Sequence, residues 1–173
     1  NLTSSALAAE IWPTTNQIEI GAAVRALYPT IEPSGLAWHS GRNQLLLVGD
    51  EGQLIAFNTD GSEPTLWNVG GDLEDVTVVD PSSSFVYLGD ENGKIVKYDL
   101  SNSTIVQSWD VTALMPELTC PGGSGTCGME GLTYAIGYFY GGYQYNGKIY
   151  ILDLNGTTVE KVGELNGLSN SGY

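Results

Sequence analysis

The chain is short of positive charge, histidine, cysteine and methionine, and each shortage excludes something. Six Lys and Arg face 20 Asp and Glu, giving a net charge of −14 and a pI near 4.1. Such a chain repels polyanions, so neither nucleic acid nor an anionic membrane surface is expected as a partner. Long apolar runs are missing as well. Residues 132–143 are broken by glycines and fall short of the roughly 18 apolar residues that mark a spanning helix, so no membrane insertion is expected. The single histidine, His39, lies in Trp38-His39-Ser40-Gly41 with no nucleophile motif beside it. His-based catalysis and a His-metal site are set aside, and His39 is read as a solvent-facing turn residue. The cations Arg25, Arg42, Lys94, Lys97, Lys148 and Lys161 leave no cluster to grip a transferring phosphate. The chain opens on Asn with no basic-then-apolar leader, as expected of a processed mature chain or of a segment of something longer.

What remains is rich in turns and aromatics. The 173 residues, 42% of them hydrophobic, suffice for one domain with a sizeable core. Glycine at 23 positions and ten tyrosines, with only two methionines, describe half-buried strands and tight turns, so the expected class is all-β.

Three segments repeat. Ser34-Gly35-Leu36-Ala37-Trp38, Glu74-Asp75-Val76-Thr77-Val78 and Glu130-Gly131-Leu132-Thr133-Tyr134 open successive units of period-two alternation. Within them Gly49-Asp50-Glu51-Gly52, Gly89-Asp90-Glu91-Asn92-Gly93 and Asn146-Gly147 separate apolar runs, which is a hairpin signal. A last run closes each unit, at residues 65–69, 104–111 and 157–162. Four strands over about 40 residues is the period of a propeller blade, the longer second unit holding an insertion around residues 116–127. A plain antiparallel sandwich is the alternative, but it gives no reason for one four-part order three times. Ahead of the first unit, Asn16-Gln17-Ile18-Glu19-Ile20 reads as an orphan strand, with a short helical turn expected at residues 22–27. The domain is thus divided into an N-terminal segment (1–31), blade 1 (32–71), blade 2 (72–127) and blade 3 (128–173).

The phrases Glu32-Pro33-Ser34-Gly35-Leu36, Asp72-Leu73-Glu74-Asp75-Val76 and Gly128-Met129-Glu130-Gly131-Leu132 precede strands that begin Gly52-Gln53-Leu54, Gly93-Lys94-Ile95 and Gly147-Lys148-Ile149. Together they resemble the secreted β-propellers of the SdiA-regulated and esterase-like, phytase-like group. The resemblance covers about residues 32–165 and implies acidic residues near the central channel, often beside calcium. Residue by residue, it points to Glu74 and Glu130, with Asp72 beside the first; blade 1 departs from it with Ser34 at the matching place. Propellers use about four to eight blades. Three blades and a strand imply a fragment of a longer propeller, or copies that share open edges as a homo-oligomer or filament.

Turn acids Asp50, Glu51, Asp90 and Glu91 are either further oxygen ligands for calcium or a solvated surface. Cys120 and Cys127 enclose six turn-forming residues, a spacing that permits a disulfide, the alternative being a free thiol pair. With Asn-x-Ser/Thr sequences at Asn1, Asn102 and Asn155 they point to an oxidising, secretory route and an extracellular glycoprotein. The tyrosines between Tyr134 and Tyr150 are either strand filling or a face for a carbohydrate or protein ligand. The expected role is a secreted structural or binding module that self-assembles through its blades, rather than an enzyme. The alternatives are a calcium-dependent phytase-like or esterase-like hydrolase, of which this is a fragment, and a propeller lectin or protein-binding scaffold.

Overall fold

The computed structural model describes residues 21–115 and 127–166; the orphan strand expected at 16–20 lies outside them. The helical turn is present as α1 (Gly21–Leu27). Twelve strands follow in three groups of four. The first comprises β1 (Pro33–His39), β2 (Gln44–Gly49), β3 (Gln53–Phe57) and β4 (Thr65–Asn68). The second comprises β5 (Leu73–Thr77), β6 (Phe85–Asp90), β7 (Lys94–Asp99) and β8 (Thr104–Asp110). The third comprises β9 (Met129–Ala135), β10 (Tyr138–Tyr143), β11 (Lys148–Asn155) and β12 (Thr158–Leu165). Each group is a separate antiparallel sheet whose strands pair in chain order, the arrangement that hairpin-length turns allow.

The sheets stack face to face. Leu46, Val48, Leu54 and Ala56 of the first sheet pack against Val76, Val86, Leu88 and Tyr98 of the second. From its other face the second sheet sends Ile95 and Trp109 against Leu132, Phe139, Tyr143 and Leu152 of the third. A strand between two layers must be apolar on both sides, and β2 obeys: Leu46 and Val48 point into the stack, while Leu45 and Leu47 lie under α1. That helix buries Val24 against Ile55 and Phe57 on the outward side of the first sheet.

The first strands of neighbouring sheets make the closest approach. Asp75 accepts a 2.7 Å hydrogen bond from the Leu132 backbone N–H, and the Thr77 hydroxyl accepts one of 3.3 Å from that of Tyr134. Between the first two sheets the same place is taken by Gly35, where a Cβ would stand 2.5 Å from the Asp75 Cα. β1, β5 and β9 therefore form an inner rim, with β4, β8 and β12 outside.

His39 departs from its sequence reading. It is wholly buried, and neither ring nitrogen makes a well-formed hydrogen bond among the described residues. The cause lies in the next sheet: the β1–β2 turn presses so closely on the following unit that a Cβ at Gly41 would stand 1.7 Å from the Pro81 carbonyl oxygen. Burial, and then the Arg42 charge, push the His39 pKa below its ordinary value, with the Ser83 backbone acting weakly the other way. A histidine whose folded pKa is depressed contributes stability above about pH 6.5, and that contribution is lost as the pH falls. We predict that the melting temperature of a His39→Leu variant gains on the wild type as the pH drops from 7 to 5. A difference independent of pH would show that His39 does not titrate against folding.

Candidate functional site

In each sheet the first strand carries one residue that faces no partner across its ladder. Ser34 falls between the pairs Pro33↔Gly49 and Gly35↔Val48, Glu74 between Leu73↔Asp90 and Asp75↔Gly89, and Glu130 between Met129↔Tyr143 and Gly131↔Gly142. Such an extra residue is a β-bulge, which bends the strand and re-aims a side chain. The recurrent sequence position is thus a recurrent bulge. Glu74 and Glu130 sit within β5 and β9 rather than ahead of them, and the bulge turns them to the rim where the sheets meet.

Three carboxylates gather there. Asp72, Glu74 and Glu91 each place an oxygen within 4.8 Å of the others. Glu91 is fixed by its backbone, whose N–H donates to the Asp72 carbonyl at 2.8 Å. Its carboxyl group receives the Gly128 N–H and shares hydrogen bonds with Asp72 and with Glu130 of the third sheet. Gly128 must be glycine, since a Cβ there would lie 1.7 Å from the Glu91 carbonyl oxygen. The second sheet thus meets the entry to the third through Glu91. Asp50, hydrogen-bonded by the Ser34 hydroxyl at 2.9 Å, adds negative charge from the first sheet.

Burial raises the Glu74 pKa to about 7, helped by the charges of Glu130, Asp72, Glu91 and Asp50. Glu91 is also pushed up to about 7, first by burial and then by its hydrogen bond to Asp72. Glu130 is raised by burial and by the Asp72 charge. Every charge acting on these three is negative. Close carboxylates with no cation nearby hold protons or take a hard cation such as calcium, which prefers carboxylate and carbonyl oxygens.

The sequence reading placed Glu74 and Asp72 together, and the structure does so. Glu130 reaches the same rim but is not one of the three mutually close oxygens; the third is Glu91, which the sequence grouped with the turn acids. Asp75 was not singled out, and its carboxyl, raised by burial against the Leu132 and Val76 N–H bonds, ties two sheets together. Asn102 is exposed in the β7–β8 turn and donates to Asp99 at 2.6 Å, and Asn155 is exposed at the end of β11. Cys127 is buried. Asn1 and Cys120 lie outside the described residues.

These blades, stacked by their first strands and not closed into a ring, are a partial β-propeller. No family model matches the sequence, and no curated protein matches it. Solved structures do. A hydrazine synthase chain of Kuenenia stuttgartiensis aligns with a TM-score of 0.57 at 12% identity over 93% of this chain and 40% of its own. AztD of Citrobacter koseri aligns at 0.51 and 21% identity, over 80% of this chain and 36% of its own. A chain of a mitotic checkpoint complex aligns at 0.55 and 17% identity, over 80% and 39%. These neighbours have β-propeller and related folds, and at such identities the likeness concerns the fold alone. The chain spans two fifths or less of their lengths.

Carboxyl groups whose folded pKa is raised stabilise the fold below the ordinary carboxylate value of about 4.5, and that help is lost as the pH climbs through about 7. The melting temperature, measured without divalent cations, should therefore fall between pH 6 and pH 8, and Glu74→Gln should flatten the slope. A wild-type profile as flat as that of the variant would refute the shared-proton account.

Proposed function

We propose that this chain is a binding or scaffold module of a secreted, glycosylated protein, and that copies of it assemble through the open faces of their blades. The observation that carries this is the uncovered inner strand of the first sheet: Leu36 is 57% exposed, whereas Val76 and Leu132, at the same repeat position, are 3% and 2% exposed. Apolar faces built for a neighbour are interaction surfaces. Support for the secretory setting is the cysteine pair, with no free cysteine among the described residues, and the exposure of Asn102 and Asn155. The mitotic checkpoint complex and Raptor are propeller neighbours, and the first is by its own description an assembly. Within the propellers, the SdiA-regulated and phytase-like group remains our family reading, on the repeated phrases around Glu74 and Glu130.

A calcium ion held by Asp72, Glu74 and Glu91, with Glu130 beside them, accords with the raised pKa values of Glu74, Glu91 and Glu130. A phytase-like hydrolase is the less favoured reading, because among the described residues the charges acting on this rim are all negative and none would hold a phosphate. A lectin reading would use Tyr138, which is exposed, and Tyr140 next to the open face.

Light scattering at micromolar concentration should give a mass well above the 18.4 kDa of one chain, and a stable monomer would count against assembly. On protein from its native medium, intact mass should show glycans and rise by about two hydrogens on reduction, the Cys120–Cys127 loop being worth roughly 2 to 3 kcal/mol. Bare asparagines and free thiols would remove the secretory reading. If calcium is bound, a chelator should lower the melting temperature and added calcium should restore it.

A further inference from the structure

We infer that the open face of the third sheet receives strand β1 of a second copy, with Leu36 seated on the paired glycines Gly131 and Gly142 and the Thr133 hydroxyl accepting the Trp38 backbone N–H. This inference rests on the self-assembly reading above and names its interface. Its basis is that both interfaces inside the chain bury the residue at one repeat position, Val76 at the first and Leu132 at the second, while the second adds a hydroxyl contact that Ala37 cannot make at the first. At the second interface, Thr77 accepts the N–H of Tyr134 while Leu132 packs into the core behind it. Thr133 is the repeat equivalent of Thr77, and Leu36 and Trp38 are the equivalents of Leu132 and Tyr134. Half of a third such interface is therefore displayed at each end of the stack.

The exposed half on β1 is apolar, with Trp38 45% exposed beside Leu36. α1 packs on Leu45, Leu47, Ile55, Phe57 and Leu66 of β2 to β4 and borders β1 across a cavity of about 270 Å³ lined by Gly21, Val24, Arg25, Pro33 and Leu36, which leaves Leu36 57% exposed. The receiving half is a shallow groove of about 250 Å³ lined by Gly131, Thr133, Tyr140, Gly142 and Ile149, with Asp75 at its edge. Gly131 and Gly142 are directly paired. At the first interface, the equivalent Gly35 is needed because Asp75 comes so close; at Gly131 and Gly142 a Cβ would meet nothing nearer than 3.9 Å. The floor is bare where a neighbouring strand would approach. The contact is head to tail, so it continues the existing stack rather than pairing two identical faces.

Light scattering on the wild type, on Leu36→Glu, on Thr133→Glu and on an equimolar mixture of the two variants tests this. Both positions are exposed, so neither substitution disturbs the core. The wild type should be multimeric and each variant should fall to a monomer. The mixture should form a dimer, because the Thr133→Glu copy keeps its β1 and the Leu36→Glu copy keeps its groove. A multimeric wild type that neither variant affects overturns this interface while leaving self-assembly standing. Variants that dissociate but fail to dimerise on mixing overturn the head-to-tail arrangement, and a monomeric wild type overturns both readings.

Discussion

A four-stranded sheet that is apolar on both faces cannot stand alone in water, and the rest of this structure follows from that constraint. Fully burying a Val, Leu or Phe side chain contributes roughly 1.5 to 3 kcal/mol, and the middle sheet sends such side chains to both sides at once. Its stability depends on having two neighbours. Polar contacts between the second and third sheets lie at both edges: at the inner strands Asp75 and Thr77 receive two backbone N–H groups of β9, and at the outer edge Gln107 and Trp109 of β8 donate to the Gly156 carbonyl. Without Asp75 the Leu132 N–H would lose the partner it has here, and an unpaired buried donor costs about 1 to 3 kcal/mol. Apolar area supplies the attraction, and the carboxylate sets the register in which it is applied.

The same stacking creates the electrostatic problem at the rim. Bulges on successive first strands turn their odd residue toward the place where the sheets converge, so a glutamate at that position in two blades brings like charges together. Glu91 is drawn in because the β5 ladder ends at Leu73↔Asp90, which leaves the next residue beside Asp72. The proteins that keep such a cluster need protons, a cation or donors there. This chain offers the Gly128 N–H and the carboxyl groups themselves. Ser34 relieves the strain on the first blade, where a neutral hydroxyl replaces the glutamate and donates to Asp50.

The parts of the fold encoded by local pattern were legible in the sequence. Period-two alternation and Asn-Gly turns specify strands and hairpins within a few residues, so the three four-strand sheets and the helix at Gly21–Leu27 could be read directly. What escaped depends on neighbours far along the chain. His39 sits in a turn by composition, and it is buried only because the turn at Pro81 closes over it. Glu91 looks like a solvated turn acid until the register of β5 against β6 is known. Asp75 occupies the position that is glycine in the other two blades, and that difference, rather than any motif, was the available sign that it had a different task.

The stack has a direction, and its two ends are unlike. Each sheet turns large apolar side chains toward the blade before it, as with Leu132, Phe139 and Tyr143, and small residues or acceptors of its first strand toward the blade after it, as with Gly35, Asp75 and Thr77. The leading end therefore displays apolar surface and needs a cover, which α1 supplies over β2 to β4 while leaving Leu36 of β1 57% exposed beside it. The trailing end displays a glycine-floored groove with Thr133 on it. A cover of the α1 kind would not fill that groove in register, because a helix offers no free backbone N–H to the hydroxyl beyond its first turn. Directional stacking of this sort favours growth by addition of another blade over closure by a symmetric face-to-face pair.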